Sequence, residues 1–111
     1  MPTLFSKIVS GEIPADIVYQ DDYVVAFRDI VPAAPVHVLI VPRTEIEGLA
    51  HLPDTGDHMH ILNAAKKIAE IEGIATKGYR LVINQGDDAG QTVPHLHAHL
   101  LGGRRLSWPP G

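Results

Sequence analysis

Histidine recurs at every second position in Val93-Pro94-His95-Leu96-His97-Ala98-His99-Leu100-Leu101-Gly102-Gly103-Arg104. In an extended strand successive side chains alternate faces, so this period sets His95, His97 and His99 on one face and Leu96, Ala98 and Leu100 on the other. The stretch therefore predicts a half-buried strand, with one surface packed and the other free for chemistry. Imidazole has an unperturbed pKa of ~6.5, so three in a row supply a neutral nucleophile beside proton donors and acceptors.

The remaining residues supply a sheet for that strand. Leu4, Phe5, Ile8 and Val9 have helical spacing, and Ser10-Gly11-Glu12 with Pro14 ends this short first helix. Ile17 to Tyr19 and Tyr23 to Phe27 are rich in β-branched and aromatic residues and flank the turn Gln20-Asp21-Asp22. Val36 to Val41, between Pro35 and Pro42, predicts a third strand, and Tyr79 to Asn84 a fourth. Between them Ile61, Leu62, Ala65, Ile68 and Ala69 form the apolar stripe of one long helix, with Asp54 or Asp57 to cap it and Gly73 to end it. A Gly-rich loop, Gly86 to Gly90, leads into the histidine strand. Hairpin connections favour an antiparallel sheet, so the expected fold is α+β, with helices covering one face of the sheet. Prolines and glycines are scattered as turn punctuation, so residues 1–111 are read as a single domain.

Lysine and arginine number 9 against 13 acidic residues, a net charge of -4, which argues against gripping nucleic acid by counterion release. A small anion can still be held by a locally positive site. With no cysteine, thiolate metal sites, disulfides and cysteine nucleophiles are excluded. No apolar run approaches the ~20 residues of a membrane span, and the N-terminus lacks the layout of a signal peptide, so a soluble, cytoplasmic chain without membrane partners is expected. A chain of this size gains from pairing with a second copy, so a homodimer is expected.

Three uses of the row compete: a metal site, a solvated strand face, and catalysis. Strand residues two apart lie ~6.6 Å apart and residues four apart ~13 Å. Zinc–nitrogen bonds are ~2.0 Å, so three histidines cannot share one ion without a sharp bend, although two could with a ligand from elsewhere. His37 favours catalysis: it lies on the third strand on the face of Leu39 and Val41, semi-buried and in need of a partner, suited to orient or relay for the row. Asn84, Gly86, Gly90, Gln91 and Thr92 add amides, a hydroxyl and flexible backbone, a composition suited to phosphate oxygens and also to an ordinary turn.

His95-Leu96-His97-Ala98-His99-Leu100-Leu101 resembles the signature of the histidine triad superfamily, three histidines alternating with apolar residues and followed by another. Gly90-Gln91-Thr92-Val93, Gly102-Gly103-Arg104 and the tail Ser107-Trp108-Pro109-Pro110-Gly111 resemble its branch of histidine triad nucleotide-binding proteins, the HINT branch. The likeness extends to Phe5-Ser6-Lys7-Ile8, Glu12-Ile13-Pro14-Ala15, Phe27-Arg28-Asp29-Ile30 and Ala34-Pro35-Val36-His37. It implies a five-stranded antiparallel sheet with one long and one short helix, paired in a homodimer into a ten-stranded sheet. It also implies a purine nucleoside phosphoramidase, independent of metal and cofactor, that releases AMP or GMP. A dinucleoside polyphosphate hydrolase and a nucleotide-binding adaptor with little catalysis are the alternatives.

Carried over by position, the resemblance makes His97 the nucleophile, places His99 at the leaving nitrogen and phosphate oxygens, and makes His95 and His37 a supporting relay. Asn84, Gln91 and Thr92 match phosphate-binding positions, and Asp29 matches the carboxylate that accepts from the ribose hydroxyls. Phe5, Ile8, Ile13, Phe27, Ile30 and Leu39 match an apolar slot for the purine base. Trp108, expected to bury its ring, matches a residue that reaches the leaving-group side from the partner subunit. The sequence departs modestly from this pattern, with Thr92 where serine is common, Pro94 where an aromatic is often found and Arg28 where histidine occurs. Thr92 keeps the hydroxyl, whereas Pro94 removes a backbone donor at the start of the histidine strand.

Overall fold

The β-rich stretches pair into one antiparallel sheet of order β1-β2-β3-β5-β4 in a computed structural model that describes residues 2–111. The strands are β1 (Ile17–Gln20), β2 (Val24–Arg28), β3 (Val36–Pro42), β4 (Tyr79–Val82) and β5 (Ala98–Gly102), with helices α1 (Leu4–Val9) and α2 (Asp57–Ile71). Asp21 makes the first hairpin, its Oδ1 accepting from the backbone N–H of Tyr23 and Val24 at 2.8 and 2.9 Å. After β3 the chain crosses through α2 to the sheet edge as β4, and β5 then inserts between β4 and β3.

Strand alternation sorts the core into two layers. Val24, Ala26, Val38, Ile40, Ala98 and Leu100 face α2, which contributes Ile61, Ala64, Ala65, Ile68 and Ala69. The odd positions Val25, Phe27, Leu39 and Val41 face the other way and are covered by Phe5 of α1. The helices thus lie on opposite faces of the sheet, not on one as expected: α2 packs on one layer and α1 docks on the other through Phe5, its one buried residue. Thr3 caps α1 through a reciprocal pair, its Oγ1 accepting from Ser6 N–H at 3.0 Å and Ser6 Oγ accepting from Thr3 N–H at 2.7 Å. The residue before α2 is Gly56, with no side-chain cap; Asp57 lies inside the first turn, where its charge complements the helix dipole.

The largest departure from the sequence reading concerns the histidine row itself. β5 begins at Ala98, so only His99 of the row lies in the strand, and His95 and His97 sit in the irregular segment before it. Pro94 has no N–H for a ladder, and the His95 N–H turns back to Val93 O at 2.8 Å. β4 likewise stops at Val82, leaving Asn84 in a loop. The Trp108 ring is 78% exposed rather than buried, and the Arg80 guanidinium lies 5.7 Å from its centroid.

Candidate active site

The site lies on the α1 face, where β3 and β5 run side by side with Leu39 opposite His99 and His37 opposite Leu101. This register brings His37 and His99 together although 62 residues separate them, with His37 Nε2 2.9 Å from His99 Nδ1. Phe5 closes the cluster from α1, its ring edge-on to His97 at 4.8 Å, and the rings of His97 and His99 are 5.0 Å apart. All four histidines named from the sequence therefore belong to one neighbourhood. His95 and His97 are buried, not lined along an exposed strand face, at 1% and 7% exposure.

The hydrogen-bond partners assign the ring protons, because backbone carbonyls only accept and backbone N–H groups only donate. His97 Nδ1 lies 2.7 Å from His95 O, so Nδ1 carries hydrogen and neutral His97 keeps its lone pair on Nε2. His37 Nδ1 accepts from Ala33 N–H at 3.0 Å, which puts the hydrogen on Nε2, facing His99 Nδ1. His99 then accepts at Nδ1 and carries its own hydrogen on Nε2. Thr3 Oγ1 lies 2.8 Å from His95 Nδ1 and donates to it, leaving His95 Nε2–H directed to Pro42 O at 3.4 Å.

Burial favours the neutral forms of His37, His95 and His99. His99 is pushed down from 6.5 to about 4, first by desolvation and then by the nearby His97 and His37, against the opposing pull of Asp29. Desolvation also lowers His37, opposed by Asp29, and lowers His95, opposed chiefly by the Pro42 carbonyl. Unfolded, His99 takes up a proton near its ordinary 6.5, so between that pH and about 4 the unfolded state binds more protons. The stability contributed by neutral His99 should be complete above about pH 6.5 and lost progressively as pH falls toward 4. Denaturant midpoints measured across this range should fall with acid, and less steeply in His99→Asn.

Asp29 joins the pair, its Oδ2 3.5 Å from His37 Nε2 while Oδ1 accepts from Val31 N–H at 2.9 Å. Ligand atoms of Asp29, His37 and His99 all lie within 4.8 Å of one another, close enough to hold a metal ion. A metal held at His37 Nε2, the nitrogen that faces both Asp29 and His99, would displace the hydrogen this nitrogen offers to His99, so the two uses exclude one another there. His95 and His97 take no part in that cluster.

Phe5, Ile8, Ile13, Phe27, Ile30 and Leu39 line a single cavity of about 520 Å³, with Asp29 at its wall. Ile30 forms only its rim, being 94% exposed. The phosphate-binding candidates fare unevenly. Gln91 is consumed by its own loop: its amide nitrogen donates to Glu47 O and Val93 O at 3.0 and 3.2 Å, and its oxygen accepts from Gly86 N–H at 3.0 Å. Its backbone N–H is also engaged, with Gly86 O. Gln91 therefore shapes the loop and has no free donor. Asn84 is half-buried just past β4, and Thr92 is exposed before the histidine segment.

Sequence reasoning missed Thr3, whose hydroxyl ties the N-terminus of α1 to His95. Its position before an apolar helix signalled the cap; the contact with a ring 92 residues away had no local signal. Leu4, Pro14, Ala15, Asp16 and Arg28, which complete the cavity wall, were not among the residues expected there.

A family model described as the HIT domain matches residues 10–106. An uncharacterised HIT-like protein of Synechococcus elongatus is 56% identical over 113 residues, covering 98% of this chain and 96% of its own. Adenylylsulfatase HINT1 of Arabidopsis thaliana is 48% identical over 115 residues, covering 99% of this chain and 77% of its own. Among solved structures, a HIT family hydrolase from Legionella pneumophila superposes with a TM-score of 0.93 at 49% identity, covering 97% of this chain and 98% of that one. With a family match across nearly its whole length and the histidine signature folded into one cluster, the chain belongs to the HIT domain family.

Proposed function

We propose that this protein hydrolyses purine nucleoside 5′-phosphoramidates to AMP or GMP through a nucleotidyl-histidine on His97. The observation that carries this reading is the proton placement on His97: with Nδ1–H held by His95 O, Nε2 presents a free lone pair. In the first step that nitrogen attacks phosphorus, a P–N bond to His97 forms, the P–N bond to the amine breaks, and the departing amine takes up one proton from solvent while His99 keeps its own. Water then attacks phosphorus, the P–N bond to His97 breaks, the water gives one proton back to solvent, and His97 is regenerated as the nucleotide is released. Neutral His99, with hydrogen on Nε2, serves as donor to the phosphate oxygens and the leaving nitrogen. The 520 Å³ apolar cavity suits a purine, and Asp29 at its wall suits ribose hydroxyls.

A second reading rests on the Arabidopsis relative, named an adenylylsulfatase. There the adenylyl group is shared and the leaving group is sulfate. Release of AMP from adenosine 5′-phosphoramidate, adenylyl sulfate and a diadenosine polyphosphate, each in excess chelator, separates the readings. The phosphoramidate should turn over fastest. Faster cleavage of the sulfate or polyphosphate would displace the assignment, tight AMP binding without turnover would favour an adaptor, and loss of turnover on chelation would favour the metal cluster.

We also propose a homodimer. Supporting this, β4 is an edge strand with Tyr79 exposed on it, and Met59, Leu62 and Trp108 are also exposed in the single chain, an unpaired edge and apolar side chains that a second copy would cover.

A further inference from the structure

We infer that Arg104 is a positioning residue that fixes the protonation pattern of the His37–His99 pair. The importance of that pair rests on the function proposed above, whereas the structural coupling does not. Residues 29–35, which connect β2 to β3 and carry Asp29, contain no helix or strand. Such a segment needs anchors to hold one conformation, and Arg104, 71 residues away, supplies one by donating from Nη2 to Ala33 O at 2.9 Å. Its Nη1 donates to Arg105 O at 3.0 Å, which orients the guanidinium plane. Beside it Gly103 has φ +90°, and a Cβ there would lie 2.9 Å from the Pro35 Cβ, so the turn after β5 packs against the connection only with a bare residue.

The contact matters because of what the same residue does on its other side. Ala33 N–H donates to His37 Nδ1 at 3.0 Å, and that bond is what places the His37 hydrogen on Nε2, toward His99. Arg104 and His37 thus hold the two peptide groups that flank one Cα. The coupling is mechanical: if the Ala33 carbonyl is released, its N–H can swing away from a ring that is only 8% exposed. His37 then loses its fixed donor, and the tautomer with hydrogen on Nδ1 becomes accessible. In that tautomer its Nε2 lone pair meets the Nδ1 lone pair of His99. Relief requires His99 to move its hydrogen from Nε2 to Nδ1, which removes the donor aimed at substrate.

The test is ¹⁵N NMR of the imidazole nitrogens in full-length wild type, Arg104→Ala and Arg104→Lys, with phosphoramidate kinetics alongside. Wild type should show His37 protonated at Nε2 and bare at Nδ1. In Arg104→Ala the His37 and His99 nitrogens should move toward tautomer-averaged shifts while those of His95 stay put, and kcat should fall about tenfold with KM within about twofold. Lysine keeps a charged donor within reach of the carbonyl and should restore most of both. Unchanged His37 and His99 shifts in Arg104→Ala would overturn the inference. So would equal movement of all the site histidines with a lowered unfolding midpoint, which marks a merely structural residue, or failure of lysine to restore the shifts. The ring readout needs no substrate, so absence of phosphoramidase activity in wild type would refute the proposed function and leave this inference decided by the NMR alone.

Discussion

Replacing His97 with alanine should lower turnover of an adenosine 5′-phosphoramidate by about 10³-fold or more, the scale expected when a covalent nucleophile is removed. Binding of AMP should survive, because the cavity proposed for the base and the Asp29 carboxylate belong to other residues. The lost ring packs edge-on against Phe5, and its Nδ1–H satisfies His95 O, so a stability cost of about 1–3 kcal/mol should accompany the change. Steady-state rates, AMP titration and a denaturant midpoint on the same sample separate chemistry from folding. Turnover within tenfold of wild type would remove His97 from the nucleophile's role.

Phe5→Ala should show the largest effect on stability among changes at the site, about 3–5 kcal/mol by the usual cost of truncating a buried phenylalanine. Phe5 is 6% exposed, packs edge-on to Phe27 at 5.6 Å, and reaches His95 and His97 on its other sides. α1 has six residues, too few to be stable unpacked, so loss of its buried anchor should free the helix from the sheet. Because Phe5 also lines the cavity, KM for a nucleotide substrate should rise along with the loss of stability. Phe5→Leu, which retains most of the apolar volume, should lie much closer to wild type in both respects. A midpoint unchanged by Phe5→Ala would show that α1 is held by contacts other than this ring.

The site was legible in proportion to how local its signals were. Parity along β3 put His37 and Leu39 on one face, and both reach the α1 side of the sheet. The period-two row identified the histidines that gather in the site, yet treating the whole row as strand misplaced His95 and His97. Pro94 removed a backbone donor, and the segment's backbone groups find partners outside the ladder, His95 N–H at Val93 O, Leu96 N–H at Ile46 O and His95 O at His97 Nδ1. Helix placement on two faces depended on where α1 could find cover, which no local pattern records. Gln91 shows a different limit: its chemistry suits phosphate, but Glu47, Gly86 and Val93 claim every donor it has. The links from Thr3 to His95 and from Arg104 to Ala33 span most of the chain, and only the folded sheet reveals them.

The central claim is a bond between His97 Nε2 and a substrate phosphorus. Intact-mass measurement after rapid quench of the protein with adenosine 5′-phosphoramidate tests it most directly, with His97→Ala run in parallel. Wild type should carry a transient adduct of one adenylyl group, located on His97 by fragmentation and lost with the kinetics of AMP release, and the variant should carry none. An adduct on another residue, an adduct that persists in His97→Ala, or full turnover with no adduct at any quench time would contradict the account.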